Sequence, residues 1–591
     1  MDRAQADGVR RARRKGRLIQ SPRNDTAESR TFDYVIVGAG SAGCVLANRL
    51  SEDGKHTVLL LEAGPKDDYL WIHIPIGYGK TMFHPVYNWG FHSEPDPGMH
   101  NRRVYQPRGR GLGGSSSING LIYIRGQAED YDRWAGYGNR GWGWSDVLPY
   151  FRKLEHNTRG ASPYHGADGP LWCSDIREPH ELIEAIIRGA NELGVPRNDD
   201  FNGATQEGVG YYQLFTRHGW RCSAADAYLR PARARSNLAV ETNALATRIV
   251  FEGRRAVGVE FAQGGLMRSA RARREVIVSA GAFQSPQLLQ LSGVGPPPLL
   301  QQFGIPVVHA LPGVGENLQD HVQVRLMYKV SKPITTNDEL RTWSGKMRMG
   351  LQWLLHRRGP LAIGINQGGL FTAVMPDSKT PDIQFHFGTL SAESAGAQPH
   401  TWPGCTFSVC QLRPASRGRV TIKTPRAQDA PAIVSNYLSE ESDRQCAVEG
   451  IKFARKLAAT PALKPYLTEE YRPGAKAASD SDLLEFAREH GQTIFHPAGT
   501  CRMGSGEMSV VDERLRVRGI DGLRVVDCSI MPDLVSGNTN APVIMIAEKA
   551  SEMILADAVA GLDGASPALG DTHRAEKLAY ESNAGLRCQT E

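Results

Sequence analysis

Three glycines near the N-terminus have the type and spacing that bind a phosphate group. Residues 32–37 form a short apolar pattern typical of a strand, which runs into Gly38, Gly40 and Gly43 before a helical pattern continues to Leu50. In G-x-G-x-x-G the first glycine permits a tight turn, the second lets the backbone approach a pyrophosphate, and the third allows the helix to pack on the strand. The pattern therefore predicts a dinucleotide site at this turn.

Neighbouring residues complete the same pattern. Ser41 and Ala42 open the helix whose N-terminus would face the phosphates. Glu62 ends a second strand, predicted over 57–61, and lies 24 residues after Gly38, where a carboxylate can hold ribose hydroxyls. NAD and FAD share this fingerprint, so these residues leave the choice between the two open.

The elements that must position these residues follow an α/β pattern, because strand-like runs recur with helical patterns between them. The runs are Tyr34–Val37, Val58–Leu61, Leu238–Thr242, Val257–Phe261, Glu275–Ser279 and Leu523–Asp527. We predict a Rossmann-like α/β domain built from them.

The stretch 323–489 has a different character. It mixes amphipathic helices such as Asp482–His490 with β-rich segments such as Ile383–Phe387 and Arg419–Ile422, which predicts a second, α+β domain inserted between pieces of the first. The predicted boundaries are 31–165, 205–322 and 495–560 for the nucleotide-binding domain, 166–204 and 323–494 for the inserted domain, and 1–30 and 561–591 for a disordered basic tail and a polar C-terminal tail.

Composition and charge exclude several classes of protein. The hydrophobic share is 41%, mean hydropathy is −0.37, and no run approaches the roughly 18 apolar residues of a membrane span. Of the net charge of +6, the first 30 residues hold +5, so the body is nearly neutral. A phosphate-binding face of the kind that holds nucleic acid is therefore not expected.

The basic tail and the cysteines bear on compartment. Arg10–Lys15 lacks the apolar stretch of a secretory signal, and we expect a cytoplasmic protein. Electrostatic contact with an anionic membrane surface, a transit peptide and a solvated extension are the alternatives for the tail. The nine cysteines are scattered without a C-x-x-C pair, which predicts neither a disulfide framework nor a metal site.

Two long glycine-rich segments carry a family resemblance. Gly109–Arg125 resembles the first signature of the glucose-methanol-choline (GMC) flavoprotein oxidoreductases, and Gly281–Gly295 resembles the second. The likeness continues through 313–321, 495–504 and 525–542, and it is strongest to the choline and primary-alcohol dehydrogenase branch. It implies the GMC fold, with an FAD-binding domain and a substrate-binding domain, and an alcohol as substrate.

The resemblance also implies which residues hold FAD. Small residues over 113–117 let backbone N–H groups approach a flat, anionic cofactor. Some members tether the flavin through a histidine, but Ile118 stands at that place, so we expect noncovalent FAD. The implied cofactor-binding residues are Gly38, Gly40, Ser41, Ala42, Gly43, Glu62, Arg110, Gly113, Gly114, Ser115, Asn119, Gly120, Asp527 and Asn540.

The second signature has a structural interpretation. Ser285 and Pro286 have the types of an N-cap and a first helical residue, which predicts a helix from there through Leu291. We assign this segment no chemistry.

Oxidation of an alcohol needs a base for the hydroxyl proton, and histidine suits that task. The sequence alone cannot choose among 17 histidines, but His496 matches the family's catalytic histidine. Asn540, followed by Pro542 and an apolar helical pattern, has the type of a helix N-cap. By resemblance it instead stands beside the catalytic histidine, and we expect it to hydrogen-bond the substrate oxygen.

Gln367 bears on substrate charge. In Gly364–Phe371 it resembles the position where choline-oxidising members carry a glutamate before paired glycines. A quaternary ammonium needs a carboxylate or an aromatic cage, whereas an amide suits a neutral hydroxyl. We therefore predict that Gln367 contacts substrate and that neutral alcohols are preferred to choline, unless Gln367 faces away or the alignment slips by one residue.

The resulting hypothesis is FAD-dependent oxidation of a primary alcohol to an aldehyde. His496 takes the hydroxyl proton, hydride passes to flavin N5, and an external quinone, cytochrome or oxygen accepts the electrons. The alternatives are a choline dehydrogenase, a non-redox enzyme of the same fold such as a hydroxynitrile lyase or a light-driven fatty-acid decarboxylase, and a nicotinamide-dependent dehydrogenase.

Overall fold

The computed structural model describes residues 30–394 and 396–561. The predictions for the two tails lie outside these ranges, apart from their inner ends. Arg30, which we placed in the tail, opens the first strand and forms an ion pair with Glu241. Gly561 ends the last helix in the left-handed conformation, where glycine carries no Cβ penalty.

The first sheet contains all six predicted strands. Among the described residues it has seven strands, and its parallel core orders Leu238–Glu241, Val58–Leu61, Arg30–Val37 and Leu266–Val278. Leu523–Val525 pairs in parallel with the C-terminal part of Leu266–Val278, while Arg255–Gln263 and Ala244–Glu252 extend the sheet in antiparallel pairing. The prediction of a Rossmann-like α/β domain is confirmed, with Ser41–Leu50 as the helix after the first strand.

The second sheet is antiparallel. Seven strands of the described chain form it, with Ile383–Gly388 and Gly404–Gln411 near its centre. The strands are Leu467–Arg472, Val322–Val330, Gly404–Gln411, Ile383–Gly388, Asn366–Thr372 and Gly208–Tyr211 in order, with Gln492–Thr493 also paired to Val322–Val330. Gly208–Tyr211 therefore pairs with this sheet, although we placed it in the nucleotide-binding domain.

The domain boundary also differs in two other places. Gly418–Thr421 pairs with Glu316–Leu318 and with Ala432–Val434, and Val420 and Ile433 pack on Phe283. This part of the predicted insertion thus lies against the nucleotide-binding domain. Leu171–Cys173 does the same, because both named residues belong to the first hydrophobic core. The core of the second domain forms separately between its sheet and its helices.

The longer helices surround the two sheets. Those of nine or more residues are Ser41–Leu50, Ala128–Gly136, Trp144–Leu154, Glu181–Glu192, Gly281–Leu291, Trp343–His356, Glu441–Ala458, Asp480–His490 and Asn540–Ala560. Shorter helices and two-stranded pairs lie in the connections, the pairs being Phe91–His92 with Tyr105–Gln106, Glu155–Asn157 with Leu171–Cys173, Thr216–Arg217 with Trp220–Arg221, and Val294–Gly295 with His309–Ala310. No helix within the described ranges has the length and apolar character to cross a bilayer.

The helix of the second signature begins earlier than predicted. It spans Gly281–Leu291, so Pro286 lies inside it rather than in its first turn. A proline there leaves the carbonyl four residues earlier without its helical donor. That carbonyl, of Ala282, accepts a hydrogen bond from the Thr500 hydroxyl at 2.6 Å, which explains why the helix continues.

Candidate active site

A cavity of 1030 Å³ is lined by residues from both domains. One part is formed by the turn after the first strand and by the glycine-rich segment 109–120. The other part is formed by strands of the antiparallel sheet. A long cavity of this kind can hold a dinucleotide and still leave space for a small molecule at its end.

The three fingerprint glycines have the three predicted geometries. Gly38 has a φ of +98°, and a Cβ there would lie 2.5 Å from the Ser279 carbonyl oxygen. A Cβ on Gly43 would lie 1.8 Å from the Gly38 carbonyl oxygen, whereas one on Gly40 would meet nothing within 4 Å and would enter the cavity. Gly40 is therefore the position where a ligand can touch the backbone.

Two buried carboxylates brace the loops around this part of the cavity. Glu62 accepts hydrogen bonds from the backbone N–H groups of Ala39 at 2.9 Å, Gly64 at 2.8 Å and Gly111 at 2.9 Å. Burial raises the pKa of Glu62, opposed by these hydrogen bonds. Its carboxylate thus joins the fingerprint turn to the glycine-rich segment, and the residue also lines the cavity.

Asp527 serves the second signature in the same way. Its carboxylate accepts from the Gly281 N–H at 2.8 Å and from the Ser285 hydroxyl at 2.6 Å. Ser285 is therefore a partner of Asp527 rather than a helix cap. Asp527 lines the cavity as well.

The glycine-rich segment divides into residues that line the cavity and residues that support them. Gly114, Ser115, Asn119 and Gly120 line it, together with Ile118. Gly113 does not line it. Its φ is +85°, and a Cβ at this position would lie 2.2 Å from the Ser117 hydroxyl oxygen, so no larger residue fits.

Arg110 is absent from the lining. Its guanidinium lies 5.1 Å from the ring centre of Trp89. The cation that faces the cavity from this segment is Arg108, which donates to the Phe495 carbonyl oxygen at 2.7 Å.

These observations fit FAD. A cradle of small residues faces the cavity at Gly40, Gly114 and Gly120, and the helix from Ser41 begins there without an acidic residue in its first turn. Unpaired N–H groups at a helix N-terminus favour an anionic pyrophosphate.

His496 lies at the end of the cavity formed by the second sheet, and it is buried. Its Nδ1 is 3.0 Å from Nδ1 of His321, and Nε2 of His321 is 2.8 Å from the Leu412 carbonyl oxygen. Because a carbonyl only accepts, His321 carries its proton on Nε2 and leaves its Nδ1 as an acceptor. His496 then donates from Nδ1, so its Nε2 is an unprotonated acceptor.

Both imidazoles are neutral at pH 7. Burial lowers the pKa of His321 to about 4, opposed by the bond to Leu412. Burial also lowers the pKa of His496 well below its ordinary value, helped by electrostatic interactions with His321, His386 and the cation Arg108. His496 is thus in the protonation state that a base requires.

Asn538, rather than Asn540, lies beside His496. The Asn538 side-chain Nδ2 is 3.3 Å from His496 Nε2, and its Oδ1 accepts from Gln384 at 3.2 Å. The Gln384 bond fixes the orientation of the amide, so its N–H group faces the histidine. The expectation that Asn540 stands there is corrected.

Asn540 is instead the first residue of the helix Asn540–Ala560. Its Oδ1 accepts from the Ser41 hydroxyl at 2.7 Å, and the backbone before it, at Thr539, is the N-cap. Asn540 lines the cavity beside the dinucleotide fingerprint. It therefore fits the cofactor-binding part of the prediction and not the substrate-binding part.

Gln367 does not line the cavity, and its neighbour Asn366 does. The Gln367 side chain is buried and donates to the Thr389 hydroxyl at 3.3 Å. The pairing with the next strand is irregular between Asn366 and Gly368, which breaks the usual alternation of faces. Of the alternatives that the sequence left open, the structure agrees with a Gln367 side chain that faces away from the cavity.

Three functional side chains escaped the sequence analysis. His321 and Asn538 lie within the segments that carry the family resemblance, 313–321 and 525–542, so their proximity to His496 was the missing signal. His386 is fully buried, lines the cavity, and has neither ring nitrogen hydrogen-bonded to the described protein. Its place on the strand Ile383–Gly388 gave no sign of chemistry.

A dinucleotide cradle joined to a neutral histidine base defines a flavin- or nicotinamide-dependent oxidoreductase. The chain belongs to the GMC oxidoreductase family, whose N-terminal and C-terminal models match residues 32–323 and 414–547. The family implies FAD, and it acts on CH–OH groups.

Characterised relatives point the same way. The chain is 44% identical over 536 residues to the mitochondrial choline dehydrogenase of Mus musculus, covering 88% of this chain and 89% of the relative. It is 43% identical over 528 residues to an alcohol dehydrogenase (acceptor) of Pseudomonas putida, covering 89% and 96%.

Solved structures share the fold. The pyridoxine 4-oxidase of Mesorbium loti superposes with a TM-score of 0.80 at 31% identity, covering 88% of this chain and 98% of that one. A formate oxidase variant of Aspergillus oryzae RIB40 gives 0.84 at 26% identity, covering 90% and 99%.

Proposed function

We propose that the protein oxidises a primary alcohol to an aldehyde with noncovalent FAD and passes the electrons to an external acceptor. Nε2 of His496 takes the hydroxyl proton. Asn538 takes the role that we had assigned to Asn540 and donates its N–H to the oxygen as negative charge develops there. FAD, when bound, accepts the hydride from the carbinol carbon.

The observation that carries this proposal is the hydrogen-bonded series from Leu412 through His321 to His496. It leaves a bare Nε2 in the cavity, within 3.3 Å of an amide donor. A base and a donor at one oxygen are the groups that removal of a hydroxyl proton needs. The N-terminus of the helix Asn540–Ala560 lines the cavity beside the dinucleotide fingerprint, two residues after Asn538, and adds positive potential there.

The noncovalent state of FAD is part of the proposal. Ile118 lines the cavity at the place where a tethering histidine would stand, and an aliphatic side chain forms no bond to flavin. Within the segment 109–120 there is no histidine at all.

One assay separates this function from its rivals. Purified protein is made anaerobic in the dark, and the flavin spectrum is followed as members of a panel of primary alcohols, secondary alcohols and choline are added. Bleaching by alcohols supports the proposal. A yellow protein that no alcohol bleaches favours a lyase or decarboxylase, and a colourless protein with bound nicotinamide would contradict the FAD assignment.

The cavity also supports the preference for neutral alcohols over choline. Among the described residues that line it, the carboxylates are Glu62 and Asp527, and both are bonded to backbone N–H groups of the nucleotide-binding segments. Asn366 offers to the cavity the neutral amide that we had expected from Gln367. A quaternary ammonium therefore has no carboxylate partner in the part of the cavity formed by the second sheet.

Peripheral membrane contact has a candidate surface in the body of the protein. On the helix Trp343–His356, Trp343, Met347, Leu351 and Leu355 recur every four residues and are exposed, Trp343 by 75% and Leu355 by 68%. The opposite face, with Met349 and Trp353, is buried, and Met349 lines the cavity.

The charge of this segment favours an anionic bilayer as the occupant. Residues 341–376 contain five arginines and lysines and no acidic residue. A second copy would bring the same cations together in a two-fold contact, whereas anionic lipid would attract them.

Flotation of the protein with vesicles of phosphatidylcholine, with and without phosphatidylglycerol, tests this surface. The variant Leu351→Glu/Leu355→Glu should lose binding to the anionic vesicles. The matched control Leu266→Glu/Met267→Glu, on an exposed hairpin of the other domain, should retain it. Equal binding by all three proteins would contradict the proposed surface.

A further inference from the structure

The strand Val322–Val330 carries a cation that the proposed reaction does not use. Arg325 lines the cavity. Its guanidinium has no hydrogen bond and no ion pair within the described part of the chain. The groups that interact with it electrostatically are the phenol of Tyr78 and another cation, Arg472. A guanidinium that is largely buried is rarely left without an anionic partner.

The register of the sheet places Arg325 in a row with other unused polar groups. Arg325 lies opposite Ser408, and Ser408 lies opposite His386. Directly opposite residues have Cβ atoms about 5 Å apart on one face, and all three line the cavity. Asn366, from the neighbouring strand, lines it as well.

This row leads from the reacting groups to the cation. His386 interacts electrostatically with both His496 and His321, so His386 lies at the reacting end. Arg325 lies two strands away, at a distance suited to the far end of a short substrate. Arginine binds a carboxylate through two parallel hydrogen bonds, which gives both energy and orientation.

We infer that Arg325 forms an anion-binding subsite, and that the preferred substrate is a primary alcohol carrying a carboxylate at its other end. The inference rests on the proposed function and deepens it. The expected order of preference is hydroxy carboxylate, then neutral alcohol, then choline, because the same guanidinium that attracts a carboxylate repels a quaternary ammonium.

The remaining charges of the cavity agree with this assignment. Burial lowers the pKa of Arg325, and this effect is opposed by the phenol of Tyr78 and by no carboxylate of the described residues. Lys80 and Lys346 also line the cavity. Lys80 belongs to the nucleotide-binding segment 31–165. In the part formed by the second domain the lining cations are therefore Arg325 and Lys346, and none of the described carboxylates lines it.

The first experiment measures binding without turnover. Butyrate and butyramide have nearly the same shape, and neither has a hydroxyl group to oxidise. Each is titrated into the oxidised, FAD-loaded protein, and the change in flavin absorbance gives Kd. Butyrate should bind about 10- to 100-fold more tightly than butyramide, the range expected for charge-assisted hydrogen bonds.

The second experiment compares substrates. Hydroxy carboxylates of three to six carbons and their hydroxy amides are compared by kcat/KM, because the length of the cavity selects one chain length. At the best length the carboxylate should be favoured by about 10- to 100-fold. Arg325→Gln should remove that preference, Arg325→Lys should keep part of it, and Lys329→Gln, which removes an exposed cation of the same strand, should keep all of it.

Several results would overturn the inference. It fails if amides are bound or oxidised as well as carboxylates. It also fails if Arg325→Gln weakens both substrates equally, because the guanidinium would then serve the reacting centre. If Arg325→Gln does not retain FAD, Arg325→Lys is measured in its place. If that variant has the parent's ratio of kcat/KM for carboxylate and amide and the parent's affinity for butyrate, the subsite is contradicted.

Failure of the proposed function gives a different pattern. If no alcohol bleaches the flavin but butyrate still binds and Arg325→Gln abolishes that binding, the oxidation proposal is wrong and the anion-binding subsite stands.

Discussion

Removing His321 should slow alcohol oxidation although His321 itself does not touch the substrate. In the parent protein its Nδ1 accepts a hydrogen bond from the Nδ1–H group of His496 at 3.0 Å, because the Leu412 carbonyl holds the His321 proton on Nε2. His321→Leu removes this acceptor. His496 then loses the hydrogen bond that keeps its proton on Nδ1, and its Nε2 is no longer fixed as the base.

The size of the effect follows from burial. His321 and His496 are both buried, and a buried donor left without its acceptor costs about 1 to 3 kcal/mol. At about 1.4 kcal/mol for each factor of ten, the rate of flavin reduction should fall by about 10- to 100-fold. His321→Asn places an amide oxygen near the position of Nδ1 and should restore most of the rate.

The assay is anaerobic stopped-flow reduction of the flavin by a neutral primary alcohol at several pH values. Burial lowers the pKa of His321 to about 4, so well above that pH the substitution removes an acceptor and no charge, and the rate of His321→Leu should lie below that of the parent at each pH. FAD content and the visible spectrum serve as the folding control. If His321→Leu matches the parent in rate and in pH profile, the tautomer argument is refuted.

Three further predictions concern the cofactor, the buried histidines and the substrate. Because Ile118 replaces the tethering histidine, acid precipitation should leave a colourless pellet and a yellow supernatant, and a yellow pellet would show covalent FAD. Burial lowers the pKa of His321 to about 4 and that of His386 to about 3, from 6.5. Below about pH 6.5 the unfolded chain therefore binds protons that the folded chain does not. The free energy of unfolding should fall by about 1.4 kcal/mol per pH unit for each of the two groups as the pH drops. Thermal midpoints of the holoprotein should therefore fall less steeply between about pH 6 and 4 in His386→Phe than in the parent, and parallel curves would count against this. Asn366→Glu, by adding a carboxylate to the cavity, should raise kcat/KM for choline relative to a neutral alcohol of similar size, and an unchanged ratio would remove Asn366 from substrate recognition.

Local sequence patterns were sufficient to predict the strands and the glycine turn that position the site. Apolar runs of strand length gave six strands, and all six lie in one sheet, five of them in its parallel part and Val257–Phe261 in an antiparallel extension. The spacing of Gly38, Gly40 and Gly43 predicted the turn and the helix that follows it. In each case the deciding interactions are between residues near each other in the chain.

The errors occurred where side-chain direction depends on distant contacts. Asn366, rather than Gln367, lines the cavity because the pairing of their strand is irregular at that point. A periodic sequence pattern cannot show such a shift. Asn538, rather than Asn540, lies beside His496. The long helix begins at Asn540, whose side chain bonds to Ser41, while Asn538 stays in the preceding loop.

Two of the cavity residues that the sequence analysis missed lie on regular strands. His386 and Arg325 are ordinary members of alternating strand patterns, and only the pairing of both strands with Gly404–Gln411 brings them onto one face of the cavity. Gly208–Tyr211, which we placed in the nucleotide-binding domain, is joined to the second sheet in the same way, by pairing with Asn366–Thr372.

The central claim is that His496 is the base that starts the oxidation. The most direct test compares the parent and His496→Ala in single-turnover, anaerobic reduction of the flavin by a primary alcohol, at matched FAD content. We predict that the variant keeps its FAD and its fold while the rate constant falls by roughly two to four orders of magnitude. A variant that reduces its flavin at close to the parent rate would contradict the claim.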